Sequence, residues 1–328
     1  MFSLCENDIL GFLGCIFSTK NLFLSQKGDK QLKCYLNIYQ KLIAFASLLS
    51  VALVPSLVSA MTNQNGVVVT DEEVKEFSKV YSPEYIYTMT QDDYDRISQY
   101  DFDNIRQVEK YVMSTYNSAT DTTTEVLISE EDYNNFVPMV SMNGEGENEL
   151  NGVYDDATLT ETQVKKLTLS YMTVGGNYDS VSLTLVWKYI PQYRSFDVIG
   201  VRGEGFTFRN GSQTGRQIYK IKSTGEFDYV RYAWNGTNIK KFNDGFGISM
   251  NIVNTDILQL SISLDCDVVP TKEYPMLFGS YQHVQHNITL AQSQNYTLGG
   301  AGLGGVFVYP YSISQYFDGM AGASIVFR

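Results

Sequence analysis

Two patterns of apolar and polar positions divide the chain. In Val181-Ser-Leu-Thr-Leu-Val-Trp187, the residues Val181, Leu183, Leu185 and Trp187 share one face. The run from Leu258 to Val268 repeats the alternation over a longer stretch, and Phe246 to Ile252 and Phe206 to Phe208 repeat it over shorter ones. A period of two with polar partners predicts strands that bury one face and wet the other. Asn210-Gly211, Asn235-Gly236 and Asp244-Gly245 fall between these runs, and such dipeptides accept the positive φ angles of tight hairpins. With no helical pattern between the runs, residues 159–328 are expected to form an antiparallel β-sandwich of the jelly-roll kind.

Residues 61–158 read differently. Thr70-Asp-Glu-Glu73 is a capping box, and Val74, Phe77, Val80 and Tyr81 follow it at helical spacing. Ser82-Pro83 starts a second short helix, Thr90-Gln-Asp-Asp93 a third, and Ser129-Glu-Glu-Asp132 a fourth. Acids in each first turn face the positive end of the helix. The expectation is a short acidic helical segment ahead of the sandwich. The stretch from Asn143 to Asp156 reads as a linker, because it is polar, acidic and Gly-containing without periodicity. That puts a domain boundary near residue 158.

A third pattern precedes both. Lys41 is followed by an uncharged apolar run, a helix-breaking Pro55 and the small-residue ending Val58-Ser59-Ala60. This is the order of a secretory signal, with cleavage after Ala60. The run also approaches the roughly 20 residues that span a bilayer, but Pro55 and the ending favour cleavage over an anchor. Cysteine usage agrees with export without disulfides: Cys5, Cys15 and Cys34 precede the cleavage, and Cys266 alone follows it. The sequons at Asn210, Asn235, Asn287 and Asn295 carry weight only in a eukaryotic secretory route.

Charge sharpens the division. Residues 61–160 hold 21 acids against 5 bases, a net of −16, whereas 161–328 hold 12 acids against 14 bases, a net of +2. Neither segment is basic enough to take nucleic acid as a partner. The aspartates 92, 93, 95, 101 and 103 lack the Gly and closing Glu of a calcium loop and read as a solvated face.

Candidate chemistry is sparse. His283 and His286 are the only histidines, and three residues apart on a strand they face opposite sides, so no shared metal is expected. His286 would share a face with Val284 and Ile288 at the core or an edge. Cys266 falls on an apolar face, where a thiol is inert, and Asp265 and Asp267 fall on the wet face beside it. Gly300-Ala-Gly302-Leu-Gly-Gly305 has dinucleotide spacing but no βαβ unit follows, so no cofactor is implied and the glycines suit a close crossover. No catalytic residue is nominated. The binding candidates are aromatic: Trp234 at the mouth of the Asn235-Gly236 turn, with Tyr229 and Tyr232 before it.

Trp187-Lys-Tyr-Ile-Pro191-Gln-Tyr-Arg194-Ser-Phe-Asp197-Val-Ile-Gly200 resembles a segment of uncharacterised exported proteins of Gram-positive bacteria, over residues 165 to the end. The resemblance implies a bacterial, extracellular protein and assigns no activity. The expected function is that of a secreted, non-enzymatic sandwich that binds a glycan, a cell wall or another surface. The alternative is a secreted membrane-active, pore-forming protein with the acidic segment as a mask.

Overall fold

The computed structural model describes residues 59–117, 120–137, 153–155, 160–174, 176, 178–299, 306–318 and 322–328. A short antiparallel pair, Ala60–Thr62 with Val68–Thr70, leads into helices α1 (Asp71–Phe77), α2 (Pro83–Thr88) and α3 (Gln91–Ile97). Strands β1 (Tyr100–Asn117) and β2 (Thr122–Ile128) and helix α4 (Glu130–Asn135) follow. Then come β3 (Thr160–Val174), β4 (Asp179–Trp187), β5 (Phe196–Glu204), β6 (Thr214–Ile221), β7 (Phe227–Tyr232), β8 (Ile239–Phe242), β9 (Gly245–Asn251), β10 (Ile257–Pro270) and β11 (Met276–Gln282). Helices α5 (Leu290–Ser293) and α6 (Tyr311–Ser314) precede the last strand, β12 (Ala323–Val326).

The protein is mainly β, an antiparallel β-sandwich preceded by short acidic helices. One sheet has nine strands in the order β7-β6-β10-β4-β3-β1-β2, with Val153–Asp155 beside β3 and Phe206–Phe208 beside β10. The other has five, β8-β9-β5-β11-β12. The alternation in β4 and β10 does what its period requires. Leu183, Leu185, Ile262, Leu264 and Cys266 meet Ile199, Val201, Ile248 and Leu277 of the facing sheet in one dry core. Gly279 of β11 lets the sheets approach, since a Cβ there would lie 2.6 Å from Leu183 Cδ1.

Both sheets are also covered on their outer faces. Over the nine-stranded sheet, α1 to α3 place Phe77, Tyr81, Tyr85, Ile86 and Ile97 against Met172 and Ile218. Over the five-stranded sheet, the C-terminal segments place Tyr296, Phe307 and Phe317 against Val198 and Val284. The glycines Gly200 and Gly247 pair across β5 and β9, and Phe307 lies where their side chains would stand, 2.5 Å and 2.7 Å from an added Cβ. A bare patch of strand therefore receives a ring.

The helix starts are those the sequence predicts. Thr70, Thr90 and Ser129 each close a capping box with Glu73, Asp93 and Asp132, and Ser82 caps a helix with Pro83 in its first turn. Other expectations need correction. The segment 61–158 is not helical throughout: β1 and β2 lie in it, and β1 pairs along β3 from Tyr100↔Val174 to Asn117↔Thr160. One sheet thus spans the expected boundary, from β1 to β3, and residues 59–328 form one compact unit. Within the expected linker, Val153–Asp155 pairs with β3; residues 138–152 and 300–305 lie outside the described residues. The Asp244-Gly245 hairpin forms, joining β8 to β9 through Phe242↔Gly245. The Asn235-Gly236 turn is no hairpin, because β7 and β8 belong to different sheets.

Finally, the face expected to be wet is buried at Ser261, Ser263 and Asp265. Asp265 is 3% exposed and Asp93 is 4% exposed. Arg216 Nη2 donates to Asp93 Oδ2 at 2.5 Å and Arg231 Nη2 to Asp93 Oδ1 at 3.2 Å. Arg96 stands 3.7 Å from Asp265, whose oxygens accept from Tyr81 and Tyr85 hydroxyls at 3.4 and 3.5 Å. Burial opposes ionisation of Asp93, but Arg216, the Thr90 amide and Arg231 outweigh it and hold the carboxyl below its ordinary range. For Asp265 burial wins over Arg96, and its pKa is raised. Alternation correctly separates the two faces of a strand but carries no information about what later covers the polar one.

Candidate functional site

At one open seam of the sandwich, β6 and β7 of the nine-stranded sheet face the end of β9 and the residues after it. Between them lies a groove of about 570 Å³ lined by Arg194, Gln217, Tyr232, Asn251, Asn254 and Asn287, among others. Its floor is rigid. Gln217 is 0% exposed; its Nε2 donates to Tyr232 Oη at 2.7 Å and to the Asn251 carbonyl at 2.8 Å, and its Oε1 accepts from the Val253 amide at 3.2 Å. Arg194 Nη1 donates to the carbonyls of Val253 and Thr255 at 3.1 and 2.7 Å, tying the loop after β9 to the chain entering β5. Ser195 Oγ donates to the Ile288 carbonyl at 3.2 Å and accepts from its amide at 3.1 Å, which fixes the third wall.

What this frame holds up is a half-buried phenol and three exposed carboxamides, Asn251, Asn254 and Asn287. Burial pushes the Tyr232 phenol up to about 12, so it stays a neutral hydroxyl. Each Asn offers both an acceptor and two donors. A phenol ring with amides that can both give and accept hydrogen bonds matches the alternating C–H faces and hydroxyls of a sugar.

The three aromatic candidates do not share this place. Tyr232 lines the groove. Tyr229, an odd number of residues away on β7, turns to the opposite face, where the Arg216 guanidinium lies 4.7 Å from its ring centroid under the helices. Trp234 is 42% exposed on the turn between the sheets, with Lys241 Nζ 4.5 Å from its ring centroid. The sequence offered no cue to Gln217, Arg194 or the three asparagines, which come from four separate stretches of chain.

The histidines also part from expectation. His283 is fully buried, with Nδ1 donating to Asp197 Oδ2 at 2.9 Å; burial opposes its charge, yet Asp197 raises its pKa. The Trp187 ring closes over it at 4.9 Å, and Lys165 pairs with Asp318 and Glu125 beside it. Among the described residues this Asp–His pair is fully buried in the core. His286 lies outside regular strand, while Val284 and Ile288 beside it are buried; its Nε2 donates to Asp121 Oδ1 at 2.8 Å. Cys266 is buried, and burial pushes its thiol up. Among the described residues no group of three or more His, Cys, Asp or Glu is placed to hold a metal, and no helix is long and apolar enough to cross a membrane.

No family model matches the chain, and no curated protein matches it. Among solved structures, one titled "Pore forming protein" is similar at 9% identity with a TM-score of 0.21, covering 50% of this chain and 86% of that one. A second, titled as manganese lipoxygenase of Gaeumannomyces graminis with a partial structure of zonadhesin of Komagataella pastoris, is similar at 8% identity with a TM-score of 0.22. It covers 67% of this chain and 79% of its own. Superposition that loose carries no functional argument in either case.

Proposed function

We propose that this chain is an exported, non-enzymatic protein of a Gram-positive bacterium, and that its sandwich binds a surface glycan in the seam groove. The observation that carries this reading is the groove itself, in which Tyr232 and three exposed asparagines stand on a hydrogen-bonded frame. The buried positions of His283 and Cys266 agree with a binding role, since neither can reach a substrate. The test is retention of cell-wall and glycan fractions on immobilised protein, compared with Tyr232→Ala and Asn254→Ala. Retention by the parent and loss in both variants supports the reading; a parent that retains nothing sinks it. Export is tested separately, by sequencing the amino terminus of protein from the culture medium, where Met61 is expected.

One observation favours the second reading, a membrane-active protein masked by its acidic segment. Helices α1 to α3 do cover the polar face of the amphipathic strands, with Ser261 and Ser263 of β10 buried on the same side as Asp265. The same segment supplies β1 and β2 to the sheet, so a mask would have to be the helices alone. Dye leakage from liposomes, measured before and after cleavage between α3 and β1, distinguishes this reading from the first.

A further inference from the structure

Beside the groove the chain builds an aromatic ledge. Two of its residues adjoin lining residues directly: Tyr193 precedes Arg194, and His286 precedes Asn287. Both stretches therefore run out of the groove and onto the same neighbouring surface, where they meet. The Tyr193 and Tyr116 rings contact edge to face at 6.2 Å, Tyr116 and His286 at 6.2 Å, and His286 and Tyr316 at 5.5 Å. Tyr116 is buried, whereas Tyr193 is 39% exposed, so the cluster presents the Tyr193 ring on a packed aromatic base.

Asp121 completes the ledge. It is the one described non-glycine residue with positive φ, at +52°, a conformation that costs a side-chain-bearing residue energy and is kept where surroundings fix it. That turn brings its carboxylate under two donors: Tyr116 Oη at 3.0 Å and His286 Nε2 at 2.8 Å, both to Oδ1. Its side chain nevertheless stays 55% exposed, and an ionised carboxylate has about four acceptor positions. An oriented, accessible acceptor next to an exposed ring is what one sugar unit needs: a face to stack on and a partner for its hydroxyls.

We propose that the ledge of Tyr193, Asp121 and His286 is a second saccharide subsite continuous with the groove, so that the ligand is an oligosaccharide and not a single sugar. This rests on the glycan reading of the groove. Tyr193 supplies the stacking face, Asp121 accepts from ring hydroxyls, and His286 together with Tyr116 holds the carboxylate in place. The groove binds the adjoining unit through Tyr232 and the asparagines. Acetamido groups, which carry one donor and one acceptor, complement those amides.

The experiment titrates the full chain with N-acetylglucosamine and its oligomers from dimer to hexamer by calorimetry. The parent is expected to bind the trimer at least tenfold more tightly than the monomer. In Tyr193→Ala that ratio falls to about one, and Tyr193→Phe, which keeps the ring, restores it. Thermal unfolding monitored by circular dichroism confirms that the variants fold, as an exposed ring should allow. Binding that is independent of length, or a Tyr193→Ala variant with the parent's ratio, overturns the second subsite and leaves the groove standing. A folded parent that binds no member of the series overturns both.

Discussion

The two outer faces of the sandwich are covered by different chemistry. Over the nine-stranded sheet, acidic helices are held by buried ion pairs, with Asp93 between Arg216 and Arg231 and Asp265 beside Arg96. Over the five-stranded sheet, Tyr296 and Phe307 lie on a patch cleared by Gly200 and Gly247, and the contact is aromatic and steric. Buried ions are stable only while every partner is present, whereas ring packing depends on shape and not on pH. The first cover is therefore sensitive to charge and acid, and the second to a single added methyl group.

The largest effect should come from removing the first cover with the strands that accompany it. A chain beginning at residue 159 loses the helices and β1, which pairs along β3, and exposes the apolar residues Met172 and Ile218. Urea unfolding followed by circular dichroism should show no cooperative transition in that chain, against a single transition for residues 59–328. A cooperative transition in the shorter chain would mean that the cover is an accessory and the comparison is wrong.

Next in size is a break in the ionic cover alone. Asp93→Ala strands Arg216, whose side chain is 4% exposed, and removes the capping box of α3. Breaking one side of a buried pair costs about 3–5 kcal/mol, to be read as a lowered urea midpoint. Acid should act through the same residue. The folded-state pKa of Asp93 is lowered, so its stabilisation is present above the unfolded value of about 3.9 and is lost as pH falls through the folded one. Asp265 runs the other way: its pKa is raised, so its contribution is present below the unfolded value and is lost as pH rises through the folded one. Asp93→Asn should flatten the acid limb of the stability profile, while Asp265→Asn should flatten the loss at higher pH.

These two aspartates also show what was legible in the sequence. The capping boxes at Thr70, Thr90 and Ser129 could be read because a cap is local: donor and acceptor lie three residues apart. The inward face of β4 and β10 could be read because alternation is local too. β1 escaped because its polar positions do not mark a face. Glu109 and Lys110 adjoin, and Glu109 is half-covered by Lys166 of the neighbouring strand, so no clean period of two appears. The burial of Asp265 is not legible in its strand, because the Tyr81 and Tyr85 that cover it lie 184 and 180 residues earlier in the chain. The groove was invisible for the same reason, apart from Tyr232, since its walls are assembled from residues 194, 217, 251 and 287.

The aromatic cover is tested by Gly247→Ala. The added Cβ would collide with Phe307 Cε1 at 2.7 Å and with the Tyr296 hydroxyl, and the strand cannot retreat because β9 is paired on both sides. Overpacking of this kind costs about 1–3 kcal/mol. The loss should be the same at pH 4 and pH 7, unlike that of Asp93→Ala. Combining Gly247→Ala with Phe307→Leu should recover part of it, because the smaller side chain vacates the space. If the two losses simply add, Phe307 is not the group that the methyl meets.

The smallest effect separates caps that serve a cover from caps that do not. Thr70→Ala removes an Oγ that accepts from the Glu73 amide at 3.2 Å at the start of α1, a helix that buries Phe77 against the nine-stranded sheet. Loss of such a cap costs about 1 kcal/mol, and because Phe77 packs in the cluster that joins the helices to the sheet at Met172 and Ile218, the cost should appear in the unfolding midpoint. Ser129→Ala removes the same bond, at 3.0 Å from the Asp132 amide, but α4 buries none of its own residues. Its fraying should leave the midpoint unchanged and raise only the hydrogen-exchange rates of residues 130–135, since local opening need not pass through global unfolding. Equal midpoints for the two variants would mean that α1 is coupled to the sandwich no more tightly than α4, and that the ionic contacts of α3 alone hold the cover in place.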